Sequence, residues 1–283
     1  MGLSDVYAKS QAAEDPDANA ADRLARVHGA GELHAALLAL LLPRGSRRAA
    51  RAWAIETAES PGRAGLRELA ANLSGAARLP WFELLLTRMA LQPIAARQSL
   101  LRALRRIMGA RGVVRPIDRL HWLAMRRGLG EVPAPTARPE ADSEVAEWLE
   151  TDVLALAVYT AFLSRMVAED LADENAGRRW YESVMEQWAP RAGAPAYDAP
   201  DAENVFEALA RLQTLSWMQR PVVVRSWVAA AVKANGGVRF GDAAADALRL
   251  TCILLDSPMP PELARHYIII PADKRQASGH AEC

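Results

Sequence analysis

Residues 97–115 read "RQSLLRALRRIMGARGVVR". Leu100, Leu101, Leu104, Ile107 and Met108 recur at intervals of three and four, so they share one face of a helix. Arg102, Arg105 and Arg106 lie away from that face. Gly112 supplies the left-handed backbone that ends such a helix. Pro116, with φ already set, starts the next one, "IDRLHWLAM". The same punctuation runs along the whole chain. Ala, Leu and Arg dominate, strand formers are sparse, and Pro, Gly and Ser fall between apolar-periodic segments. The fold class expected is all-α, with more than about 60% helix and at most one short strand near 268–270.

The loop that follows this helix is written twice. "GARGVVRPID" (109–118) matches "KANGGVRFGD" (233–242) at Ala110/Ala234, Gly112/Gly236, Val114/Val238, Arg115/Arg239 and Asp118/Asp242. At the same offset of 124, Phe82–Glu83 falls on Phe206–Glu207. The pattern is that of a helical unit used once per half. Gly112 and Gly236 are expected to close the preceding helices, and Asp118 and Asp242 to cap the following ones. Pro80 is expected in the first turn of "WFELLLTRMALQ", and Ser46 as the cap of "RRAARAWAIETAE".

Five segments follow from this reading. Residues 1–19 are polar and acidic and are expected to be disordered. Residues 20–130 form a basic helical subdomain. Residues 131–144, within "GEVPAPTARPEADSE", form a Pro-rich linker, and 145–267 an acidic helical subdomain that opens with a long helix over about 143–170. Residues 268–283 form a tail. Net charge is zero, but residues 1–130 carry 20 Lys/Arg against 11 Asp/Glu, and residues 131–283 carry 14 against 23. Either the halves attract each other, or the basic half meets an acidic partner, or both are simply solvated.

The longest apolar stretches, "LHAALLALLL" (33–42) and "VLALAVYTAFL" (153–163), fall short of the roughly 20 residues that span a bilayer and read as core helices. The chain is therefore not expected to be an integral membrane protein. Two cysteines, Cys252 in an apolar run and Cys283 at the end, make no disulfide framework, which points to a cytoplasmic home.

Motifs for chemistry are sparse. His28 and His34 in "VHGAGELH" are off helical register and lack the HExxH form, and no GxGxxG, GxxxxGK[ST] or GxSxG occurs. No catalytic residue, no cofactor and no tightly bound zinc are expected. Arg102, Arg105, Arg106 and Arg115 form a candidate basic interaction surface, read as a solvated face rather than a nucleic-acid site. Most of the eight tryptophans are expected in the core, with one or two on a binding surface.

The loop with its flanking helices resembles the TerB-like all-helical fold, whose units carry an Asp-Gly loop between two helices. "RLPWFELLLTRMALQPIAARQSLLRALRRIMGARGVVRPIDRLHWLAM" (78–125) and "ADALRLTCILLDSPMPPEL" (245–263) are similar to the soluble C-terminal region of bacterial HtpX-like membrane zinc metallopeptidases. The family's HExxH helix and membrane spans are absent. Arg111 and Asn235 stand where the loop pattern has Asp, and Asp118 and Asp242 where it has Glu. The resemblance implies one TerB-like unit in each half and a helical docking module without its catalytic domain. The expected function is a non-enzymatic interaction or adaptor protein. The alternative is an accessory or chaperone-like subunit of an enzyme system. Either implies a protein partner, a membrane metallopeptidase or an enzyme subunit being the kinds the resemblance brings in.

Overall fold

The structure, a computed structural model, describes residues 16–60, 62–131, 148–168, 173, 175–189, 195–236 and 240–268. Helix takes up 73% of these residues, and none of them lies in a strand. The first half holds α1 (Pro16–Leu24), α2 (Ala30–Leu40), α3 (Arg47–Glu56), α4 (Arg63–Asn72), α5 (Gly75–Ala90), α6 (Ile94–Ala110) and α7 (Pro116–Gly128). The second holds α8 (Glu150–Val167), α9 (Ala176–Trp188), α10 (Ala202–Gln213), α11 (Gln219–Ala234), α12 (Asp242–Leu254) and the single turn α13 (Pro261–Ala264).

Two helices are apolar all round, and each is wrapped by others. In α2 every residue from Ala35 to Leu40 is buried, and α3, α4, α5 and α6 pack on it. In α8 the buried run includes Tyr159, Phe162, Leu163 and Met166, and α7, α9, α10 and α12 pack on it. These are the two long apolar stretches of the sequence, and no helix among the described residues is long and apolar enough to cross a membrane. Side chains from both halves join in one buried cluster. The halves meet chiefly where α7 lies on α12, with α7 also against α8 and α5 against α12. Among the described residues the ion pairs Arg127–Asp256 and Arg249–Glu83 cross this junction, one in each electrical sense.

Shifted by 124 residues, α5, α6 and α7 start and stop within three residues of α10, α11 and α12, and α2 falls inside α8. The correspondence is one of helices rather than of side chains. Phe82 is buried in α5, whereas Phe206 is exposed on α10.

Several boundaries differ from expectation. Pro80 lies inside α5, which begins five residues earlier at Gly75 with Ser74 as its cap. Proline has no N–H for the carbonyl four residues back. That carbonyl, of Ala76, instead accepts the backbone N–H of Ile268 at 3.4 Å, so the helix passes through the proline with its acceptor satisfied from another part of the chain. Helix begins at Pro16, so residues 16–19, expected to be disordered, are helical. The long helix of the second half starts at Glu150, because the Leu149 N–H is taken by Asp152 Oδ2 at 3.0 Å. Ser46 accepts from the Ala49 N–H at 3.3 Å and caps α3. Residues 1–15 and 132–147, positions 269–270 of the expected strand, and the tail with Cys283 lie outside the described residues.

Candidate functional site

In the first copy of the loop, backbone and side-chain donors converge on the carboxylate of Asp118. Ala110 ends α6, Gly112 follows at φ +82, Arg115 precedes α7, and Asp118 is its third residue. Asp118 is 4% exposed. Its Oδ2 accepts the backbone N–H of Arg115 at 3.1 Å. Its Oδ1 accepts from Arg111 Nη1 at 2.8 Å and Arg115 Nη2 at 3.0 Å. Arg111 Nη2 also reaches the Leu41 carbonyl at 2.7 Å, tying the loop to the end of α2. Burial works against ionisation of Asp118, but the Arg115 hydrogen bonds and the Arg111 charge outweigh it and hold the carboxyl below its ordinary range.

The second copy starts alike and ends differently. Ala234 closes α11, and Gly236 follows at φ +64. Asp242 is the first residue of α12, not its third, and the preceding Gly241 offers no side-chain cap. The Asp242 carboxylate does not cap its own helix. It leans across the junction onto the start of α5, where a Cβ on Gly75 would come within 1.9 Å of Oδ2, and His266 Nε2 lies 3.4 Å from Oδ1. The closer counterpart of Asp118 is Asp152, which sequence reasoning missed. It is the third residue of α8, fully buried, and accepts from Arg211 Nε at 2.8 Å as well as from the Leu149 N–H. Its signal was an Asp three residues past a non-helical Leu149.

The candidate basic surface is mostly engaged. Arg106 forms a two-pronged pair with Glu56 at 2.6 Å for each prong. The Arg105 guanidinium stacks 4.9 Å from the Trp122 ring centroid, and Arg115 turns to Asp118. Arg102 is exposed and has no partner among the described residues.

The loops meet at a cleft of about 380 Å³ lined by Arg44, Arg78, Arg115, His121, Asp242 and Asp246. Burial pushes the Asp246 carboxyl up to about 7, and its Oδ1 accepts from the Tyr267 hydroxyl at 3.0 Å. Burial pushes His121 down to about 4, with Nδ1 3.0 Å from the Ile117 carbonyl. Arg249 caps the face of Tyr267 at 4.3 Å. The hydrogen bonds of these groups stay within their own halves: Arg44 and Arg78 donate to backbone carbonyls of the first half, and Asp246 accepts from Tyr267 in the second. No group of three His, Cys, Asp or Glu among the described residues is placed to hold a metal ion.

A second concavity has the opposite character. Trp217, Met218, Pro221, Val222, Arg225, Pro258, Met259, Pro260 and Pro261 form a groove of about 510 Å³. Trp217 is 69% exposed, and Met218 and Val222 are close to half-exposed. Trp53, Trp81, Trp180 and Trp227 are buried, so Trp217 stands apart from the core set. Ser216 and Gln219 exchange hydrogen bonds at 3.1 Å each way across the turn that presents Trp217. Arg220 Nη1 grips the Leu255 carbonyl at 2.8 Å and ties the start of α11 to the segment leading into the prolines. Both walls are therefore held before anything binds. Among the lining residues Arg225 alone is charged. The sequence displays both the prolines and the tryptophan, but their meeting is a tertiary fact.

No protein-family model, curated protein or solved structure matches this chain.

Proposed function

We propose that the chain is a non-enzymatic docking protein whose Trp217 groove receives an apolar segment of a partner protein carrying one carboxylate opposite Arg225. The observation that carries this is the exposure of a large aromatic side chain in a groove whose walls are fixed by prolines and by the Ser216–Gln219 and Arg220–Leu255 bonds. An exposed, concave apolar surface of this kind has no role in holding a monomer together. Aromatic anchors in preformed pockets dominate interface energetics. Arg225 is exposed, and its bond to the Pro221 carbonyl is long at 3.4 Å, so its guanidinium is available for a carboxylate.

The reading of two TerB-like units draws support from the matching helix boundaries and from the parallel roles of α2 and α8. An accessory subunit of an enzyme would use the same groove, and the identity of the partner separates the two readings. The test measures fluorescence polarisation of labelled twelve-residue apolar peptides containing Trp or Leu, each with a single Glu or a single Lys. The Glu series should bind more tightly than the Lys series. Trp217→Ala should weaken it by about thirty-fold, the size of an interface hot spot, and Arg225→Glu should reverse the charge preference. Equal binding by wild type and Trp217→Ala would sink the proposal, as would a concentration-dependent dimer that Trp217→Ala abolishes.

A further inference from the structure

A third concavity, of about 270 Å³, lies between the end of α2, the start of α3 and the outer face of α4, and is separate from the groove. Arg44, Arg47, Arg67 and Arg78 line it, and no Asp or Glu does. Part of this basic character is structural. Arg78 donates from Nε to the Leu40 carbonyl at 2.6 Å and from Nη2 to those of Leu42 and Ala39 at 2.7 and 3.2 Å. Arg44 donates to the Leu73 carbonyl at 2.6 Å, and Arg111 holds that of Leu41. The negative end of α2 is thus neutralised from within. The remaining positive charge has no such explanation. Arg47 and Arg67 are exposed and make no hydrogen bond or ion pair among the described residues. Burial and then the neighbouring Arg44 charge push Arg78 down to about 10, so its cation is less stable there than in water while remaining the form present at neutral pH. Like charges converging in a concave site repel, and a multivalent anion relieves all of them together.

We propose that this pocket binds the phosphate group of a small phosphate monoester. Guanidinium forks match phosphate oxygens two at a time. Arg47 and Arg67, without partners among the described residues, supply forks from two different helices, and Arg44 lines the same pocket from the connection that leads into α3. The Ser46 hydroxyl accepts from the Ala49 N–H, and Arg47, the first residue of α3 and part of the pocket wall, has a backbone N–H with no acceptor inside its own helix. The volume is small beside ordinary ligand sites of about 300–1,000 Å³, which suits a phosphate with a short organic stub rather than a nucleotide polymer.

The experiment is equilibrium titration of the full chain with inorganic phosphate and glycerol 2-phosphate, with acetate as control, at constant ionic strength. Both phosphates should saturate the protein and acetate should not. Arg47→Gln and Arg67→Gln should each weaken binding about tenfold, the lower end of a charged hydrogen bond's contribution. Arg102→Gln, on α6, should leave it unchanged. Neither Arg47 nor Arg67 has a partner among the described residues, so thermal denaturation should place all three variants at the wild-type midpoint, and Arg67→Lys serves if Arg47→Gln shifts it. Absence of saturable phosphate binding overturns the proposal, as do equal affinities in the pocket variants and wild type. Binding of a twenty-nucleotide single strand or of anionic lipid vesicles without binding of phosphate also overturns it.

Discussion

Asp118 and Asp242 stand at matching places in two copies of one loop, yet the first is 4% exposed while the second keeps a side chain 60% exposed. What the copies share is the helix ending: Ala, a C-cap residue, then Gly at positive φ. What they do not share is the partner. Asp118 is buried because two arginines of its own loop converge on it, and α7 starts where its carboxylate can reach back to the Arg115 N–H. Asp242 belongs to a helix that starts two residues later in the repeat frame, so the same carboxylate points out of its loop and across to α5. A repeated sequence therefore specifies a local backbone. The energetic role of a repeated side chain depends on what the rest of the chain brings to it.

The comparison breaks most sharply at Asp118. Its partner Arg111 has a side chain only 7% exposed, so removing the carboxylate strands a buried guanidinium. Asp118→Ala should cost about 3–5 kcal/mol, the range for breaking a buried ion pair. Asp118→Asn keeps an acceptor for the Arg115 N–H but not the charge, and should lose most of the same amount. A pure capping role would leave the Asn variant within a few tenths of wild type. Asp152→Ala should fall below Asp118→Ala, because Arg211, its partner, is about one-third exposed and can be rehydrated. Urea denaturation of the set decides the matter, and equal losses for the Asp118→Ala and Asp242→Ala variants would erase the distinction drawn here.

The helices were largely legible because their punctuation is local. Ser46, Gly112 and Pro116 act on residues within a turn of themselves, and the structure puts a helix boundary at each. Pro80 was misread for the opposite reason. Its compensation comes from Ile268, and no local pattern announces a hydrogen bond of that reach. Asp152 was missed because its Arg211 partner lies 59 residues on. The groove was visible only in pieces, as "PMPP" and as one Trp among eight.

The junction cleft offers a second, smaller effect. Asp246 is held protonated in the folded protein up to about pH 7, whereas an unfolded carboxyl ionises near 4. Its contribution to stability is fully present below about pH 4 and is lost as the pH rises through about 7. The full linkage value of about 4 kcal/mol is an upper bound, since the carboxyl lines a cleft that admits solvent, and about 2 kcal/mol is expected. Asp246→Asn keeps the acceptor for the Tyr267 hydroxyl and cannot ionise. The variant's margin over wild type should be small at pH 5, where the loss has only begun, and should grow to its full size by pH 8. His121 titrates in both proteins and cancels in the difference. A gap that stays constant between pH 5 and pH 8 would show that Asp246 does not ionise within that window.

The smallest effect tests where Asp242 acts. If its carboxylate belongs to the start of α5, then the residue that senses it is Gly75, in the other half of the chain. A methyl group at Gly75 would meet Oδ2 at 1.9 Å and Cγ at 2.2 Å, well inside contact distance. Asp242 is exposed and can swing away, so the cost of Gly75→Ala should stay near 1–2 kcal/mol rather than reach the upper range for overpacking. Part of it is offset by the better helix propensity of Ala at a first-turn position. Asp242→Ala alone should cost less than about 1 kcal/mol, because only a charge at a helix start and a contact with His266 are lost. The double variant decides the question. With no carboxylate to meet, Gly75→Ala in the Asp242→Ala background should become neutral or stabilising, so the two changes should be non-additive by about 1 kcal/mol or more. Strict additivity would mean that Asp242 does not rest on α5, and the second loop would then have to be treated as a self-contained turn like the first.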